Sequence, residues 1–247
     1  MKPEIYNKEY TIGEILLESW RSFKENFRLM LLITLVVYVP INTILAFVPF
    51  DKLIEQQGFL RGLKVYLRGI QVLEGLIGVI ATMAIAYIIK SKIDGQIVSF
   101  GQALKKSLSR WLAAVGTNII LFIFLLGLVL LLIIPGIIYY GYWMFTLYPV
   151  VFQDKFGKDA MDYSKAIVKD RWWKVAGYSL VLGLLGLITM VLVGAILGFL
   201  LGFLLPDNFF VNIASDIVSN TIVDVVSSFF FTVVFVIFFI NFDSTKK

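Results

Sequence analysis

The chain has 247 residues, of which 59% are hydrophobic and only 16% charged, whereas a soluble domain carries about a quarter charged residues. Its mean hydropathy of +0.88 leaves too little polar surface for water, so the bilayer is the relevant solvent. There is no cysteine and no histidine, which removes disulfides, thiolate and imidazole metal ligands, cysteine nucleophiles and Ser-His triads.

Any chemistry would rest on Asp, Glu, Lys, Ser or Tyr, so no cofactor and no enzymatic activity are expected. The net charge of +5 reads as cytoplasmic Lys and Arg rather than as a nucleic-acid surface. The first 28 residues mix charged and apolar positions, and no cleavable signal peptide is expected.

Six apolar runs follow in chain order, each long enough to be read as a membrane span. The first is 29–50, interrupted by Pro40 and Asn42, and the second is 70–89, with Glu74 near its start. The third, 112–134, ends at Pro135-Gly136, a pair that stops a helix and turns the chain. The fourth, 137–152, is short and aromatic. The fifth lies within 175–205 and is rich in glycine, and the sixth covers about 217–240.

The distribution of cations orients these spans. With the N-terminus cytoplasmic, only Lys52, Arg61, Lys64 and Arg68 of the 22 Lys and Arg fall in outer loops, leaving 18 inside. That is the asymmetry expected of short cytoplasmic loops. Both termini are therefore expected in the cytoplasm, and the location is a cytoplasmic membrane.

The inner segments carry structure of their own. Thr11 and Glu14 have the spacing of a capping box, and Ile12, Ile15, Leu16, Trp20, Phe23 and Phe27 then share one helical face. Ser99 and Gln102 repeat the box before Ala103, Leu104, Leu108, Trp111 and Leu112. A looser third copy starts near Asp159 and continues through Tyr163, Ile167, Val168 and Trp172. The expected fold is thus all-α: a polytopic bundle of about six transmembrane helices in three hairpins. These units cover about 11–90, 99–153 and 159–241, each preceded by an amphipathic helix on the cytoplasmic surface. The whole chain forms one integral membrane domain.

The most specific stretch runs from Ile134-Pro135-Gly136 through Tyr140, Phe145, Pro149-Val150-Val151, Asp154, Gly157, Ala160 and Ser164 to Trp172-Trp173-Lys174-Val175. This order resembles the membrane domain fused to some glycerophosphoryl diester phosphodiesterases, and related stand-alone six-span proteins of bacterial and archaeal inner membranes. The resemblance implies a six-span fold and a cytoplasmic-membrane location. Enzymatic members carry their catalytic residues on a separate soluble barrel, for which this chain has no room, so the activity is not implied.

Candidate sites follow from polar residues in apolar surroundings. Asn212, Asp216, Asn220, Asp224 and Ser228 recur every four residues and share a helical face. Two readings stand: an ion or proton site, or a polar path, facing the bundle interior, or else an interfacial helix over 207–220 that leaves Asp224 near the outer headgroups. Glu74, near the outer end of the second span, either pairs with Arg61 or Arg68 or sits at the interface. Asn42 and Asn118 are expected to join helices by hydrogen bonds.

Lys105, Lys106, Arg110, Lys165, Lys169, Arg171 and Lys174 either contact lipid headgroups or serve only as orientation charges. Trp111, Trp172, Trp173, Tyr139 and Tyr140 read as interface anchors. Gly194, Gly198 and Gly202 form overlapping Gly-xxx-Gly units for close helix packing, within the chain or in a homo-oligomer.

Three functional classes remain open on these residues. The first is a non-catalytic scaffold or accessory protein of lipid or envelope homeostasis, with membrane lipids and a second copy or another membrane protein as partners and no nucleic acid. The second is a small transporter or lipid-handling protein using the polar stripe. The third is an intramembrane enzyme, which the missing histidine and cysteine disfavour most.

Overall fold

The computed structural model describes residues 4–48, 58, 65, 69, 72–206 and 208–245. These form helices and turns, with no strand among the described residues. The expected outer-loop cations Lys52, Arg61, Lys64 and Arg68, and the side chain of Glu74, lie outside the described residues.

Helix α1 covers Ile12–Ala46 and opens on the expected capping box, Thr11 accepting from the Glu14 amide and Glu14 accepting from the Thr11 amide. A π-helical turn, Glu74–Gly78, leads into α2, Val79–Ile93. Helix α3, Phe100–Leu131, starts on the second box, Ser99 with Gln102. Two short helices follow, α4 (Ile133–Trp143) and α5 (Leu147–Phe152), then α6 (Lys158–Val168). A 3-10 turn over Lys169–Arg171 joins α6 to α7, Trp172–Leu204. The C-terminal stretch comprises α8 (Phe209–Ser227), a π-helical stretch Ser228–Val234, and α9 (Phe235–Ser244).

Five helical stretches are long and apolar enough to cross a membrane: 12–46, 75–93, 100–131, 158–204 and 209–244. The two amphipathic segments expected before the first and third spans are continuous with the long helices that follow them, because no proline lies between Ile12 and Val39 or between Phe100 and Leu131; Pro40 removes one hydrogen bond of α1 only further along the helix. Only in the third unit does a 3-10 turn separate the polar helix from the apolar one.

The expected fourth span, 137–152, is not a single helix, and Pro149 explains the break. It has no N–H to bond the Phe145 carbonyl, and its ring would collide with that carbonyl in a continuous helix. The backbone groups freed at the junction are met from α6, where the Ser164 hydroxyl accepts from the Phe145 amide at 3.1 Å and donates to the Tyr142 carbonyl at 2.8 Å. The turn expected at Pro135-Gly136 comes slightly earlier, at Leu132, whose backbone is extended (φ −159°, ψ 130°). Pro135 then sits in the first turn of α4, where a missing N–H costs nothing. Gly136 packs against Val129 so closely that a Cβ there would collide with it.

The core lies around α2 and α9. Seven consecutive residues, Val236 to Phe242, are buried, as a helix apolar on every side must be when it sits inside a bundle. Phe145 meets Phe238 and Phe239 at ring distances of 5.1 and 5.7 Å, and Tyr148 meets Phe239 at 5.0 Å. In contrast, only 11% of the most apolar window is buried in α3, and 11% in the stretch from α6 through α7. The described residues supply no cover for these surfaces, and lipid is the solvent that suits them.

Candidate functional site

Helix α4 and the junction between α6 and α7 enclose a groove of about 960 Å³. The indole N–H of Trp172 donates to the Ile138 carbonyl at 3.0 Å and fixes one end of it. Gly141 makes room for that ring, since a Cβ there would lie 2.7 Å from the indole nitrogen. One wall is apolar, from Ile134, Ile137 and Ile138, all exposed. The opposite rim carries Lys169, Asp170, Arg171, Trp173 and Lys174, and the Trp173 side chain is 84% exposed.

The rim charges have different tasks. Arg171 donates to the carbonyls of Ile167 and Phe242 and to the Thr245 hydroxyl, and its guanidinium lies over the Phe242 ring. Glu9, from the N-terminal arm, lies 3.8 Å from Arg171 and 2.9 Å from Lys174. These contacts anchor the start of α7 to α9 and to the arm. Lys169 and Asp170 are exposed and form no ion pair among the described residues.

The remaining expected headgroup cations divide in the same way. Lys106 and Arg110 hold the loop after α5: Asp154 lies 3.0 Å from Lys106 and 3.3 Å from Arg110. Arg110 also donates to the carbonyls of Val150 and Lys155. The Lys106 ammonium beside it keeps the Asp154 carboxyl below the usual carboxylate range. Asp154 adopts φ +54° and Gly157 φ +52°, conformations suited to Asp and Gly, and the Gly157 amide is taken by the Thr117 hydroxyl at 2.9 Å. Lys165 lies over the rings of Tyr139 and Tyr142. Lys105 is exposed.

The polar stripe of α8 is graded. Asn212 and Asp216 are exposed, Asn220 and Asp224 half-buried, and Ser228 buried. Asn42 of α1 donates its amide to Asp224 at 2.7 Å and to the Thr221 hydroxyl at 3.2 Å. Asn42 therefore joins helices as expected, whereas Asn118 makes no side-chain hydrogen bond among the described residues and its neighbour Thr117 does. Of the glycines in α7, and among the described residues, Gly194 has only Val223 nearby, at 3.9 Å, and Gly198 and Gly202 have nothing within 4 Å. The close packing is at Gly186, where a Cβ would lie 3.0 Å from Phe230.

Sequence reasoning did not single out the polar network around Tyr6, Lys90 and Tyr163. Tyr6 donates to Asp94, while Lys90 donates to Tyr6 at 3.0 Å and to Asp94 at 2.6 Å; burial, and then the Asp94 bond, push the Tyr6 hydroxyl upward. Tyr163 donates to Asp243 at 2.7 Å and accepts from Gln153 at 2.8 Å. The i, i+4 spacing of Lys90 and Asp94 was the only available signal. Among the described residues no group of three or more Asp and Glu is placed to hold a metal ion.

These features define an all-helical membrane protein with an amphipathic groove. No known protein family, curated protein or solved structure matches the chain.

Proposed function

We propose that this chain is a six-crossing protein of the cytoplasmic membrane that binds lipid and acts, without catalysis, as a scaffold or accessory protein in lipid or envelope homeostasis. The observation that carries this reading is the groove between α4 and the 169–174 junction, because an apolar wall, exposed tryptophan and charged rim are what a phospholipid requires. In this reading α4 and α5 together make the fourth crossing. Support comes from their course along α3, with Gly136 at Val129, Trp143 against Phe124 and Val150 at Arg110. The residues around Tyr6, Asp94 and Asp243 face the cytoplasm. The resemblance of the 134–175 stretch to the phosphodiesterase-associated membrane domain belongs to the same proposal.

Photocrosslinking with a phospholipid bearing an acyl-chain diazirine tests it. Adducts concentrated on peptides from 133–143 and 169–174 are expected, and labelling spread evenly over the apolar helices would reject the groove. Orientation is tested by single cysteines, each unique in a chain that has none. A cysteine at Gln96 should react only from the cytoplasmic side.

The Asn42–Asp224 bond favours a second reading, a small transporter with an ionisable group between α1 and α8. It requires that Asp224→Asn alter flux in proteoliposomes while the protein remains folded.

A further inference from the structure

The charges at the groove distinguish one lipid class from another. Three cations line it, which at first suggests an anionic lipid. Yet Arg171 and Lys174 both lie against Glu9, and Arg171 is also occupied by two carbonyls and a hydroxyl. The charges facing the groove with no salt bridge or hydrogen bond of their own side chains among the described residues are Lys169 and Asp170, consecutive on the 3-10 turn and both exposed; Asp170 acts on the neighbouring Arg171 only through space. One cation beside one anion complements a headgroup that carries both signs. An anionic headgroup would gain Lys169 but would be repelled by Asp170.

Resting on the lipid-binding reading above, we infer that the groove takes a zwitterionic aminophospholipid, its phosphate on Lys169, its ammonium on Asp170 and an acyl chain along Ile134, Ile137 and Ile138. The exposed Trp173 marks the level of the interface at which such a headgroup lies. Asp170 is the specificity-determining residue, because it attracts the ammonium and repels a lipid that carries phosphate alone.

The test uses the full chain in nanodiscs of equal parts phosphatidylethanolamine and phosphatidylglycerol, with native mass spectrometry of the lipids released bound to it. Wild type should retain phosphatidylethanolamine over phosphatidylglycerol by about three- to fivefold, the range of one partly exposed ion pair. Asp170→Asn should abolish that preference while still retaining lipid, and Lys169→Gln should lower retention of both. Lys105→Gln, exposed but outside the groove, should leave the preference unchanged.

Retention without preference in the wild type, or an unchanged preference in Asp170→Asn, overturns the inference and leaves lipid binding in place. A wild-type protein released without lipid overturns both.

Discussion

Asn42 donates its side-chain amide to the Asp224 carboxylate across 2.7 Å, joining helices whose residues are 182 positions apart. Asn42 is only 4% exposed, so the bond also spares it burial without a partner. Interhelical polar contacts in membranes contribute about 1 kcal/mol, and a buried polar group left unsatisfied costs about 1–3 kcal/mol. Asn42→Ala should lower stability by about 1–2 kcal/mol in an SDS-titration unfolding experiment. Asp224→Asn, which retains an acceptor oxygen, should cost less. Equal stability of wild type and Asn42→Ala would show that the bond contributes nothing.

The glycines separate into packed and open positions. Gly141→Ala places a methyl 2.7 Å from the Trp172 indole nitrogen, so the ring must move and lose its bond to Ile138. Overpacking of this kind costs about 1–3 kcal/mol, and Trp172 fluorescence should shift with it. Gly198→Ala meets no atom of the described residues within 4 Å beyond its own helix backbone, and should be neutral or stabilise by up to about 1 kcal/mol through helix propensity. If the Gly194, Gly198 and Gly202 face contacts a second copy, Gly198→Leu should reduce the cross-linked dimer while the monomer stays folded.

Asn241 holds the N-terminal arm in place. Fully buried, it accepts from the Tyr10 amide at 2.8 Å and donates to the carbonyls of Ile5 and Lys8 at 2.9 and 2.8 Å. Asn241→Leu leaves these groups without that partner, and a cost of about 1–3 kcal/mol is expected. The readout is local: faster tryptic cleavage after Lys8 and faster hydrogen exchange at Tyr10. Unchanged rates at both positions would mean the arm is held by other contacts.

The loop after α5 should respond to acid. The Lys106 hydrogen bond holds the Asp154 carboxyl below its ordinary value, so the unfolded chain binds the proton more readily than the folded one. The stabilisation is complete above the ordinary carboxylate value of about 3.9 and is lost as pH falls through the lower folded value. Asp154 is 61% exposed, which limits the effect to less than about 1 kcal/mol. Protection of the Gly157 amide, taken relative to its intrinsic exchange rate at each pH, should fall in acid, and Lys106→Met should remove that pH dependence.

The sequence by itself determined the helical class and the membrane as solvent, because runs such as 112–134 and 175–205 are too apolar for any other medium. It also determined where α1 and α3 begin, since Thr11 with Glu14 and Ser99 with Gln102 complete their caps within one turn. The polar residues Asn42 and Asp224 could be named from their apolar surroundings, though not paired with each other. What only the tertiary structure decided are the relations between distant positions. The division of 137–152 into α4 and α5 depends on Pro149 and on Ser164 arriving from another helix to satisfy the Phe145 amide and the Tyr142 carbonyl. The basic cluster, uniform as a sequence, divides because Asp154 and Glu9 approach some of its members and leave Lys169 beside Asp170 at the groove. Charge pattern along a chain shows which groups are ionised, but which of them remain available to a ligand depends on the partners that folding places within about 4 Å.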